Sequence, residues 1–190
     1  MFGIRTKLQN IMNRAQFKKN RIEWSDNILV EGKINIVCKK TARIRIGKGV
    51  SIRSGISANP SGGGQRDCLF TVYDGAELVL DDGCGISNST IVSSNRVYIG
   101  KGVNIGVNCV IYDTDMHAVD YENRIHRIKT KSAAVNILDG AWICGHCIIL
   151  KGVTIGERSV VAAGSVVTQN IPKDELWGGN PARFIKKINQ

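Results

Sequence analysis

The chain has 190 residues and carries 26 Lys and Arg against 16 Asp and Glu, a formal net charge of +10. That length predicts one domain with a real core, and the charge predicts an anionic partner. Aromatic residues make up only 6% and are not interleaved with the basic ones, which argues against a base-stacking nucleic-acid platform.

No apolar run approaches the roughly 20 residues of a membrane span, and the N-terminus lacks the continuous apolar stretch of a secretory signal. A cytoplasmic protein is expected. Its six cysteines (Cys38, Cys68, Cys84, Cys109, Cys144 and Cys147) show no disulfide framework and read as reduced thiols.

Residues 1–21 contain Arg5, Lys7, Arg14, Lys18, Lys19 and Arg21 and no acidic residue. Ile4, Leu8, Ile11, Met12 and Ala15 recur at helical spacing, predicting a basic amphipathic helix over a segment bounded at about residue 24. Two roles suit such a helix. It can cap the open end of the domain, or it can be drawn weakly to an anionic membrane surface at the inner face of the membrane.

From about residue 25 to 170 a six-residue beat takes over. Ile137, Ile143, Ile149, Ile155, Val161 and Val167 form an unbroken series, preceded by Ile99, Ile105 and Ile111, by Leu80, Ile86 and Val92, and by Ile46 and Ile52. A helix repeats near 3.6 residues and a strand near 2, so a period of six fits neither as an isolated element. It fits a solenoid in which each flat face takes one hexapeptide and turns one aliphatic side chain inward.

Two breaks interrupt the beat. The glycine-rich stretch Asn59–Gln65 lacks the Gly-Lys-Ser/Thr ending of a phosphate-binding loop and is expected to be a surface excursion. The second break, 112–136, is polar and rich in Asp, His and Arg, and a long insertion in a regular solenoid is where function tends to sit. Beyond residue 170 a short extension, 171–190, ends the chain. Arg183 and Lys186 are three apart, so a short C-terminal helix there would place both on one face.

The stretches Trp142–Gly145 and Gly152–Gly156, together with Ala163-Gly164-Ser165-Val166-Val167-Thr168 and Gly179-Asn180-Pro181-Ala182-Arg183, resemble the left-handed β-helix, hexapeptide-repeat acyltransferase superfamily. The likeness is nearest to its maltose/galactoside acetyltransferase and polysaccharide O-acetyltransferase branch and covers roughly residues 75–188. It implies an all-β, left-handed parallel β-helix shaped as a triangular prism. It also implies a homotrimer with acetyl-CoA as co-substrate in the groove between neighbours, a saccharide or glycolipid-linked acceptor, and no metal.

Direct acyl transfer from a thioester to a hydroxyl needs a base, a donor for the oxyanion and a means of holding both substrates in line. His117, in Asp113-Thr114-Asp115-Met116-His117, is the natural base, and the family's histidine at this position serves that role. Asp115 or Asp120 could accept the second ring N–H, as could a backbone carbonyl.

By the same resemblance Trp142 contacts the coenzyme, the backbone N–H of Gly145 lies near the thioester carbonyl, and Ala163 and Gly164 wall the pantetheine arm. Thr168, Gln169, Arg183 and Lys186 then approach the CoA phosphates, although Gln169 stands where relatives often carry Lys. Asn88 falls where sugar acetyltransferases hold the acceptor; the alternative is an asparagine that stabilises a corner. Cys144-Gly145-His146-Cys147 reads as structural, with Cys147 in a small inward slot.

Rival readings are an N-acyltransferase on an amino sugar, an O-acetyltransferase on an amino acid, a zinc lyase on the same fold and a non-catalytic trimeric scaffold. The histidines His117, His126 and His146 are badly spaced for zinc.

Overall fold

A computed structural model describes residues 2–60, 67–126 and 130–188; most of the glycine-rich break therefore lies outside the described residues. Six coils stack into three parallel sheets. The first sheet orders Glu23–Trp24, Arg43–Ile46, Glu77–Leu80, Arg96–Ile99, Val135–Ile137 and Thr154–Ile155. The second begins at Leu29–Glu31 and continues through Ser51–Arg53, Gly85–Ser87, Asn104–Ile105, Trp142–Ile143 and Val160–Val161. The third runs from Ile34–Cys38 through Cys68–Val72, Thr90–Ser93, Val110–Tyr112 and Ile148–Ile149 to Val166–Val167.

Each short strand alternates one inward and one outward side chain, so the six-residue beat becomes three columns of aliphatic residues. Ile137 pairs with Ile155, Ile143 with Val161 and Ile149 with Val167, all fully buried. The column on the third sheet corrects one position. Phe70, Ile91 and Ile111 are in register and fully buried, so Ile91 fills the inward slot that the beat assigns to Val92. The corner Ser87–Ser89 is one residue shorter than the beat requires. Cys84, Cys109 and Cys147 are buried in the same interior, Cys147 in the slot expected of it.

The corner between the second and third sheets has a repeated backbone signature. Asn88, Asn108 and His146 take φ of 43°, 58° and 63°, and Gly164 takes 74°. Asn is among the few side chains that tolerate this left-handed region, so asparagine at two of these corners is a conformational choice.

The helix Phe2–Lys19 closes the N-terminal end. Phe17 is 1% exposed, with its ring centroid 5.6 Å from that of Trp24. Asn13 donates to Gly32 O at 2.8 Å and accepts from Ile34 N at 3.2 Å, while Gln16 donates to Ile34 O at 3.1 Å. These amides satisfy the backbone groups that the first coil leaves open at a sheet edge.

The expected C-terminal helix is absent. Glu175–Gly179 adds to the second sheet beside Val160–Val161, and Ala182–Lys187 returns antiparallel to it. Gly178-Gly179-Asn180-Pro181 makes a reversal that a helix through Pro181 could not accommodate. Trp177 packs on the core, with Phe184 set edge-on 6.4 Å away.

Candidate active site

The insertion after Val110–Tyr112 is anchored before it projects. Asp113 is fully buried, and its carboxylate accepts from Ser93 Oγ at 2.8 Å, Ser94 N at 2.7 Å and Asn95 N at 2.8 Å. Thr114 bridges Ser132 antiparallel, and Ala133 N donates to Asp113 O, so both stems of the insertion meet at Asp113. Nothing in the sequence marks this aspartate as the anchor beyond its place directly after an apolar strand.

A tight turn follows. Met116 N donates to Thr114 Oγ1 at 3.2 Å, and His117 N to Asp115 O at 2.7 Å. Met116 is forced to a φ of 62°, a strained value for a side chain of its kind. The turn presents His117 to solvent, and its ring makes no hydrogen bond among the described residues.

Neither carboxylate considered for orienting the ring does so in the single chain. Asp115 Oδ1 forms an ion pair with Lys151 Nζ at 2.8 Å. Asp120 instead caps the helix Tyr121–Ile125, accepting from Asn123 N and Nδ2, each at 2.9 Å. Those two bonds hold its carboxyl below the usual range. Lys151 escaped the sequence reading, because a lysine in a Leu-Lys-Gly turn looks like any solvated corner. Beside the turn a cavity of about 330 Å³ is lined by Asp115, Ala118, Val119, Asp120, Asn123 and Lys131.

The residues expected to hold coenzyme gather elsewhere. Trp142, Val160, Leu176 and Lys186 share one row on the second sheet, Trp142 pointing outward at 52% exposure. Arg183 sits opposite Gly178. The register slips between Leu176 and Trp177, so Arg183 and Lys186 oppose residues two apart and share the outer face. The bulge does what a helix was expected to do.

The Gly178 position abuts Ala162 and approaches Ser165, so the Gly178–Arg183 pair lies on the side of the molecule where the corner Ala162–Ser165 turns. Gly164 N donates to Gly145 O at 3.0 Å. Thr168 and Gln169 do not join this group. They follow Val166–Val167 at the far edge of the third sheet, the edge from which the His117 insertion also departs.

Two groups therefore face away from each other across the outer side of the third sheet, where Ile148 and Leu150 are exposed. Asn88 is 2% exposed, and its Oδ1 accepts Gly55 N at 2.8 Å. It occupies a corner, and its Nδ2 is buried with no hydrogen-bond partner among the described residues. Among the described residues no three His, Cys, Asp or Glu side chains gather to hold a metal.

Residues 134–169 match the family model described as bacterial transferase hexapeptide (six repeats). The fold extends that likeness to nearly the whole chain. A hexapeptide-repeat acetyltransferase of Vibrio cholerae, solved with acetyl coenzyme A, superposes over 97% of this chain and 85% of its own, with a TM-score of 0.58 and 26% identity. AntD, an N-acyltransferase of Bacillus cereus, shares the fold at a TM-score of 0.68 over 93% of this chain and 90% of its own, with 19% identity.

The solenoid is a left-handed parallel β-helix. Among curated sequences, a provisionally named acetyltransferase of Saccharomyces cerevisiae is 41% identical over 103 residues, 54% of this chain and 52% of its own. A Staphylococcus aureus protein named in the same way is 40% identical over 113 residues, 50% of this chain and 56% of its own. The chain thus spans about half the length of the curated relatives it matches.

Proposed function

We propose that this protein is an acetyl-CoA-dependent acyltransferase acting on a saccharide hydroxyl, as in the maltose/galactoside and polysaccharide O-acetyltransferase branch. One observation carries the proposal. His117 is held outward on a strained, doubly anchored turn at one edge of the third sheet, while Trp142, Gly145, Ala163, Gly164, Arg183 and Lys186 occupy the other side. A neighbouring copy packed against the exposed Trp142, Ile148 and Leu150 would bring the two groups face to face and remove apolar surface from water.

In that arrangement Arg183 and Lys186, which no carboxylate pairs among the described residues, supply charge to the coenzyme phosphates. The backbone N–H of Gly145 faces the thioester oxygen, and His117 accepts the acceptor's proton as the hydroxyl attacks the thioester carbonyl. The thiol of CoA leaves, and no acyl-enzyme is formed.

The test is thiol release from acetyl-CoA against a panel of sugars, nucleotide sugars, oligosaccharides and amino sugars. His117→Ala should keep the wild-type size and melting temperature, because the ring is exposed, and lose about 10²- to 10⁴-fold in rate. Near-wild-type release by that variant with a true acceptor refutes the assignment.

A further inference from the structure

The helix Phe2–Lys19 meets the solenoid through Asn13, Gln16 and Phe17, which inverts the sequence expectation for its faces. Its apolar stripe looks out: Leu8, Ile11 and Met12 are 57%, 65% and 49% exposed, and Ala15 is exposed beside them. At about 100° per residue these four span about 100°, centred opposite Asn13 and Phe17. Arg14 and Lys18 border the stripe, and Lys19 continues its line one turn on; all three are exposed.

The apolar surface does not stop at the helix. A groove of about 420 Å³ between helix and solenoid is lined by Ile11, Arg14, Ile28 and Leu29, with Leu29 48% exposed. No acidic residue precedes Glu23 to offset the cations. A second copy seated helix to helix would bring matching cations together around the stripe, a repulsive arrangement for an isologous contact. An anionic lipid surface meets both features: acyl chains take the apolar side chains, and headgroup phosphates take the lysines and arginine that snorkel beside them.

We propose that the outward face of the helix Phe2–Lys19 docks the protein on an anionic lipid bilayer. In the docked state Leu8, Ile11 and Met12 sit at the headgroup–acyl boundary and Arg14, Lys18 and Lys19 lie against phosphates. Because Asn13 and Phe17 hold the helix from the other side, docking needs no release of the solenoid.

The test is co-sedimentation of the full chain with vesicles of phosphatidylglycerol mixed with phosphatidylcholine, and with phosphatidylcholine alone, at low and high salt. Partition onto the phosphatidylglycerol vesicles should be at least about tenfold tighter and should weaken with salt. Combined Leu8→Ser, Ile11→Ser and Met12→Ser should cost about tenfold or more, with the wild-type melting temperature retained. Combined Arg14→Gln, Lys18→Gln and Lys19→Gln should weaken binding to the phosphatidylglycerol vesicles and reduce its salt dependence.

Hydrogen exchange on the wild-type protein gives an independent readout, since vesicles should slow the helix amides and leave the solenoid unchanged. Equal partition onto both vesicle types, no partition, or an unaffected serine variant overturns the proposal. A wild-type oligomer that the serine variant splits, without vesicle binding, assigns the stripe to a second copy and overturns it as well.

Discussion

Replacing Asp113 should damage this protein more than replacing any residue that points into solvent from the same insertion. Its carboxylate takes three donors at 2.7–2.8 Å from a fully buried position. Hydrogen bonds to a charged group are worth about 1.5–3 kcal/mol each, and a buried donor left unpaired costs about 1–3 kcal/mol.

In Asp113→Ala the Ser93 hydroxyl can turn wholly to Glu77 O, 3.0 Å away, and the exposed Asn95 can find water. Ser94 N, which is half-buried, loses its bond to the carboxylate with no other protein acceptor in place, so the net cost is about 2–3 kcal/mol. For a chain of this size 1 kcal/mol moves the midpoint by about 2–4 °C, which predicts a fall on the order of 10 °C by calorimetry. Asp113→Asn keeps one acceptor oxygen but turns an amide N–H₂ toward the other donors, and should fall between Ala and wild type. Limited proteolysis should reach the 118–131 segment faster in both variants. An alanine variant melting within about 2 °C of wild type would refute the anchoring argument.

Three further outcomes follow from packing. Asn13→Ala strands Gly32 O and Ile34 N at the open end of the solenoid and should cost about 2 kcal/mol, read as a lower urea midpoint with faster helix exchange. Gly156→Ala should be strongly destabilising, because its Cβ would come within 2.4 Å of Lys173 N and 2.6 Å of Pro172 C, both backbone atoms; a soluble variant with the wild-type melting curve would contradict that. In a native thiol titration only the half-buried Cys38 and Cys144 should react quickly, and all six should react in denaturant. Burial pushes the thiols of Cys68 and Cys84 up to about 11 and about 12. Cys147 is the informative one: a hydrogen bond from the Cys109 thiol beside it favours its thiolate, yet it is fully buried, so fast native labelling there would show that access does not control reactivity.

The solenoid was legible because a period of six has few structural solutions, and the run Ile137–Val167 holds it with no insertion. Ile91 and Val92 were not separable by sequence, since both are β-branched and either could point inward; register with Phe70 and Ile111 decides between them. The C-terminal strand was missed because a three-residue spacing suits one helix face equally well, and only the slip beside Trp177 shows a bulged ribbon doing the same work.

On the N-terminal helix the apolar stripe lost the core to a single Phe17 and two amides. Open backbone groups on the first coil demand hydrogen bonds that Leu8 and Ile11 cannot supply. For the site, sequence could nominate His117, but Asp113 and Lys151 act through contacts between coils that no local pattern encodes.

The proposed division of the site between chains has a consequence that neither half can show alone. If His117 works on coenzyme held by a neighbour's Arg183 and Lys186, two defective proteins should repair each other. His117→Ala subunits retain the coenzyme half, and Arg183→Gln/Lys186→Gln subunits retain the base. Each parent alone offers no intact pairing, so activity at low acetyl-CoA should be near background. Refolding an equal mixture places an intact histidine against an intact coenzyme surface at about a quarter of the interfaces of a closed ring. Activity should therefore return to about a quarter of wild type, and only after subunits exchange. If one chain carries both halves of its own site, every site in the mixture stays defective and nothing returns. A mixed sample no more active than its parents, although chromatography shows mixed oligomers, would move the coenzyme to the same chain as the histidine that uses it.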